Sequence, residues 1–108
     1  MYIDGIYLFE SAAICLFLYE RFSKKNLIPV LGSIERVRLY QWCFFAMSEL
    51  DVHTLYVMNK HGGPLKEKYG ESDAAVHTAK KGFETQISKI EDELKNEMIS
   101  IEAVKKEV

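Results

Sequence analysis

Glu10 and Ser11 put a carboxylate and a hydroxyl side by side where the chain passes from a short apolar strand, Ile6-Tyr7-Leu8, into an apolar helix beginning Ala12-Ala13-Ile14. A helix start carries unpaired N–H groups and the positive end of the helix dipole, so it can hold an anion. Ser11 can instead cap the helix, its oxygen accepting from an amide a turn later, with Glu10 left in water. Both readings are open on these residues alone. Farther along, Tyr40, Trp42, Phe44 and Phe45 lie in an apolar run from Leu39 to Met47 in which Gln41 is the strongly polar residue. They could line a pocket for an apolar ligand, or pack as core.

The other reactive side chains form no catalytic pattern. His53, His61 and His77 are too widely spaced for a close metal pair and have no Cys or Asp/Glu ligands at metal spacing, so no metal site is expected. They read as solvated or capping residues, His61 at a helix C-terminus where a cation is favoured. Cys43 and His53 sit too far apart on one expected helix to act as nucleophile and base. Glu91, Asp92 and Glu93 belong to a charged helix face. Cys15 and Cys43 lie inside apolar helical pattern and read as reduced core thiols.

The elements that must position Glu10 and Ser11 fit a chain of 108 residues, room for one small domain. Hydrophobic residues make up 48% and charged residues 28%, a globular balance and not a disordered one. The formal charge is −2 and basic residues form no stripe, which argues against a nucleic-acid binder. No apolar run reaches the roughly 18 residues of a membrane span. No charged leader precedes an apolar core and a cleavage site. A cytoplasmic location is the expectation.

Asp4-Gly5 is a two-residue hairpin signal between Met1-Tyr2-Ile3 and Ile6-Tyr7-Leu8. A hairpin this short does not stand alone in water. A first helix is expected over about 11–22, with Ile14, Cys15, Leu18 and Phe22 on one face and Phe17 beside it. Leu27-Ile28-Pro29 is an extended linker. A second helix over about 33–60 starts at the cap Ser33, with Glu35 in its first turn, and ends at His61-Gly62-Gly63-Pro64. Apolar on all sides from Leu39 to Met47, it must be covered on all sides. A third helix over about 72–104 starts at Ser72. Its stripe is Val76, Ala79, Phe83, Ile87, Ile90, Leu94, Met98 and Ile101. A short coiled coil is the rival reading of that stripe. Gly82 beside it would allow close approach of another backbone. The fold class is mainly α, three main helices with a residual β-hairpin at residues 1–9.

Glu10-Ser11-Ala12-Ala13-Ile14 followed by Tyr19-Glu20-Arg21-Phe22 resembles the last helix of the thioredoxin-like domain of glutathione S-transferases. A second match lies at the right distance. Glu35-Arg36 leading to Trp42, then Phe44-Phe45-Ala46-Met47-Ser48-Glu49-Leu50, resembles the family's pattern in the helix that lies in the middle of its all-helical domain. The resemblance implies that residues 1–26 are the end of a glutathione-binding domain and 27–108 part of a helical bundle. It implies that Glu10 meets the ammonium of the γ-glutamyl end of glutathione. Ser11 would give its hydroxyl and N–H to the carboxylate. It makes Tyr40, Trp42, Phe44 and Phe45 a pocket or interface for electrophile or partner. Glutathione would be a co-substrate, no other cofactor is implied, and a homodimer or other self-association is expected.

The family's thiol-activating strand–helix–strand unit and cis-proline loop match nothing here, nor does its later capping box. No catalytic residue is therefore assigned, and as it stands the chain is expected to be an inert fragment. A helix N-terminus gives an exposed anion about 0.3–1 kcal/mol, and one charge-assisted hydrogen bond about 1.5–3 kcal/mol. Millimolar affinity needs about 4 kcal/mol, so Glu10 and Ser11 alone reach that range at best. The alternative function is a non-catalytic interaction module built from the same helices.

Overall fold

The computed structural model describes the backbone of residues 1–107 and the side chains of residues 1–97. It is mainly α-helical with a two-stranded antiparallel hairpin, the fold class that the sequence predicts. The strands are β1 (Tyr2–Ile3) and β2 (Ile6–Tyr7). The helices are α1 (Ser11–Phe22), α2 (Ile34–Phe45), a π-helical segment (Ala46–Leu55), α3 (Tyr56–His61), α4 (Lys66–Tyr69) and α5 (Asp73–Glu107). Two compact units result, Met1–Met47 and Ser48–Val108.

In the first unit the hairpin turns as Asp4-Gly5 requires. Both residues have positive φ, 50° and 79°, which gives the twist of a tight two-residue connection. The register pairs Tyr2 with Tyr7 and Ile3 with Ile6. Leu8 N–H donates to the Met1 carbonyl at 2.6 Å and extends the ladder. Arg21 on α1 reaches back to the turn and pairs with Asp4. The face of α1 turned to the hairpin carries Ala13, Ile14 and Phe17, which line an apolar cavity with Ile3, Ile6 and Leu8. This corrects the expected face. Cys15 is exposed rather than a core thiol, and Phe22 is exposed as well. The hairpin is narrow, so α1 can cover it with a single stripe, and Cys15 and Phe22 fall outside that stripe.

The linker after α1 is held by side chains. Tyr19 Oη donates to the Lys25 carbonyl and accepts from the Leu27 N–H at 2.5 Å. Ser33 caps α2 as predicted, its hydroxyl accepting from Arg36 N–H at 3.2 Å. Arg36 is 7% exposed, and its side chain spends its fork on three elements. Nε donates to Tyr40 Oη at 2.9 Å, one terminal nitrogen donates to the Pro29 carbonyl at 3.0 Å, and the other pairs with Glu20 on α1. Planar, always charged and multidentate, guanidinium suits such a junction. These bonds tie the linker and α2 to α1, so the first compact unit extends past the linker to Met47.

In the second unit α3 packs on α5 and α4. The helix expected to run unbroken to residue 60 instead widens into the π-helical segment before α3. Thr54, buried, donates its hydroxyl to the Leu50 carbonyl, a back-bond that competes with the backbone ladder. α3 stops at His61, where Gly62 N–H closes the helix on the Met58 carbonyl at 2.9 Å. Ser72 caps α5, its hydroxyl accepting from Ala75 N–H at 3.3 Å. Along the predicted stripe of α5, Ala79 is the buried apolar residue, while Val76, Phe83 and Ile90 are half-buried. Ile87 and Leu94 are exposed, and the side chains of Met98 and Ile101 lie outside the described residues.

Candidate functional site

The site begins at the junction of strand and helix. Glu10, not Ser11, is the N-cap residue of α1, with φ 70° and ψ 99°. That corrects the capping expectation. Leu8 is held in the hairpin and Ile14 N–H donates to the Glu10 carbonyl at 3.0 Å, so the chain must reverse within Phe9 and Glu10. The reversal puts Glu10 at a positive φ and makes Ser11 the first helical residue. Among the described residues no side chain caps the start of α1, so the hydroxyl of Ser11 is not spent on the helix end. Glu10 and Ser11 are both exposed.

Beside them lies a cavity of about 410 Å³ between α1 and α2. Glu10 forms part of its rim, Ala12, Ala13 and Leu16 one wall, and Tyr40, Cys43, Phe44 and Met47 the other. Of the four aromatic residues singled out in the sequence, Tyr40 and Phe44 line this cavity. Trp42 and Phe45 do not. They pack on each other edge to face, with ring centroids 5.4 Å apart. The helix decides this division, because positions 40, 43, 44 and 47 share a face and 42 and 45 do not. Cys43 and Met47 were missed in the sequence because aromatic character was grouped without regard to that spacing. Tyr40 is fixed by Arg36, and Tyr40 is in turn the main reason the Arg36 guanidinium holds its proton more tightly than usual, with Glu20 adding to it.

Of the remaining candidates, His61 Nδ1 bonds the Gly70 carbonyl at 2.8 Å and pins the loop after α3. His53 and His77 are exposed. Among the described residues no group of three or more His, Cys, Asp or Glu is placed to hold a metal ion. No helix among them is long and apolar enough to cross a membrane. Lys60 lies over the rings of Tyr56 and Tyr69, at 4.5 and 4.8 Å from their centroids. A hydrogen bond to Tyr69 raises the Tyr56 hydroxyl above its ordinary 10.0.

Comparison with known protein families, curated proteins and solved structures finds no match for the chain.

Proposed function

We propose that this chain is a glutathione S-transferase-like polypeptide that binds the γ-glutamyl end of glutathione at Glu10 and Ser11. The observation that carries the reading is the backbone of Glu10. A non-glycine residue at φ 70° and ψ 99° is strained. Such strain costs on the order of 1–3 kcal/mol and clusters at ligand clamps. Here it leaves the Ser11 hydroxyl and the first N–H groups of α1 uncommitted beside a carboxylate. A zwitterionic amino-acid end needs that pairing: donors for its carboxylate and an anion for its ammonium. The cavity lined by Tyr40 and Phe44 would take the apolar part of an electrophile. Family activity is conjugation of glutathione to electrophiles in the cytoplasm, with glutathione as co-substrate and no further cofactor.

Both ligating residues are exposed, so affinity for glutathione is expected in the millimolar range. Titrating the isotope-labelled chain with glutathione should move the amide resonances of Ser11, Ala12 and Ala13. Cysteinylglycine, which lacks the γ-glutamyl end, should leave them in place. Equal shifts with both peptides, or none with either, would remove the reading.

A second reading, a protein-interaction module or homodimer, is favoured by one face of α2. Ile34, Val37 and Phe44 are 68%, 56% and 73% exposed along it. Large exposed apolar patches mark interaction sites. A stable complex through the Leu39–Met47 surface, indifferent to glutathione, would favour this reading over the first.

A further inference from the structure

Over its first half α5 is covered by its own unit. Ala79 is buried, and Val76 lies against Gly62 at the end of α3, so close that a Cβ on Gly62 would sit 2.7 Å from its side chain. Gln86 donates to Glu49 of the π-helical segment at 3.2 Å, at one end of a cavity that the two elements share. Past Ile90 the cover ends. Every residue from Glu91 to Glu97 is exposed, about two helical turns, and Leu94 in their midst is 57% exposed. The helix nevertheless continues to Glu107. An isolated helix shorter than about 12–15 residues is marginal in water even when rich in alanine, and helices in proteins draw most of their stability from an amphipathic face packed on something. The stretch from Glu91 to Glu107 is little longer and is not rich in alanine.

This half of α5 is apolar along one narrow line: Ile87, Ile90 and Leu94, with Met98 and Ile101 next at the same spacing in the sequence. The steps are 3, 4, 4 and 3 residues, a mean of 3.5, which is the repeat of a seam between two helices. The line is also symmetric about Leu94 and reads the same in both directions. A second copy of α5 running the opposite way brings Ile87 level with Ile101, Ile90 level with Met98, and Leu94 level with itself. Glu91 and Lys95, which pair at 3.4 Å within the helix, border the line on one side. There each Glu91 comes beside Lys95 of the second copy. A copy running the same way would need the whole line, including the half where Val76 already lies against Gly62. The reversed copy needs only the open half.

We infer that the open half of α5 pairs with the same stretch of a second copy of this chain, antiparallel and centred on Leu94. The size of the contact sets its strength. The two helices overlap from residue 81 to residue 107, about 39 Å at a rise of 1.5 Å, and a helix is about 10 Å across, so each copy buries on the order of 400 Å². A standard stable interface takes about 800 Å² from each partner. Glu93 and Glu97, on the other border of the line, also face their like in the second copy. The association is therefore weak and reversible, building up between about 0.01 and 1 mM. This interface is separate from the α2 face of the second reading above and does not depend on it.

Sedimentation equilibrium of the full chain across that range should show a monomer–dimer equilibrium. Leu94→Glu, at an exposed position, should keep the circular-dichroism spectrum of the dilute chain and raise the dissociation constant about tenfold or more, since it puts two unpaired charges at the centre of the seam. Val37→Glu, on the exposed face of α2, should leave the dissociation constant unchanged. Direction is read from a spin label on Glu84→Cys, an exposed position, in a Cys15→Ser, Cys43→Ser background. Each label lies ten residues from the centre, so an antiparallel pair holds the two about 30 Å apart along the axis. Parallel helices would hold them about 10 Å apart. A chain that is monomeric at 1 mM, association that survives in Leu94→Glu, association lost in Val37→Glu, or a label separation near 10 Å would each overturn the inference.

Discussion

Gly82→Ala should stabilise the protein. Gly82 lies inside α5, and a glycine in a helix interior costs about 0.8–1.0 kcal/mol relative to alanine. That cost would be justified if another backbone pressed against it. It does not. A Cβ built on Gly82 meets the Thr54 methyl at 3.5 Å, an ordinary van der Waals contact. The substitution should therefore gain nearly the whole propensity difference. For a domain of this size, about 1 kcal/mol raises the melting temperature by about 4–8 °C. Gly63→Ala is the matched control. Its Cβ would lie 3.0 Å from the Asn59 Cα and 3.1 Å from the Asn59 carbonyl oxygen, backbone that cannot turn aside. Overpacking of that kind costs about 1–3 kcal/mol, so its melting temperature should fall. Thermal denaturation followed by helical circular dichroism reads both. A fall for Gly82→Ala would refute the reasoning, since something other than the Thr54 methyl would then have to occupy the space over Gly82.

The remaining predictions concern packing, the junction and pH. Ala79→Leu should lower stability by about 1–3 kcal/mol in urea denaturation, because Ala79 is 5% exposed and a larger side chain must displace its neighbours. Arg36→Lys should lower the melting temperature although charge is kept, since an ammonium cannot reach Tyr40, the Pro29 carbonyl and Glu20 together. The pH dependence follows from Tyr56, whose hydroxyl is raised in the folded chain mainly by its bond to Tyr69. The folded state holds that proton more tightly than the unfolded one. Its contribution is therefore complete below about pH 10 and is lost as pH rises through the folded value. Tyr69→Phe should remove this alkaline loss, as seen in urea midpoints measured across that range.

Much of the fold was legible because its signals are local. Asp4-Gly5 fixes the hairpin by demanding positive φ at both positions, and Ser33 and Ser72 cap the helices that follow them. The failures have physical causes as well. Ser11 looked like a cap by residue type. The reversal forced on the chain between Leu8 and Ile14 falls on Glu10 instead and moves the cap back by one position, while the helix keeps its expected bounds. The π-helical segment left no trace because its 10 residues are too few for a pattern of polar and apolar positions to separate a slightly wider helical period from the ordinary one. The candidate pocket was half visible. Aromatic type picked out Tyr40 and Phe44, but helical spacing would have dropped Trp42 and Phe45 and added Cys43 and Met47. The cavity lined by Glu49 and Gln86 draws on two segments far apart in sequence and had no local signature.

Trp42 is the single tryptophan of the chain, and it belongs to the first compact unit. Half-buried against the edge of Phe45, its indole should shift in fluorescence when that packing is lost. The long helix α5 belongs wholly to the second unit and contributes a large share of the helical dichroism. The molecule thus carries one optical probe weighted to each unit, without labelling. Coincident melting curves from the two signals would mean that the units unfold as one cooperative body. Separated curves would give each unit its own stability in a single sample.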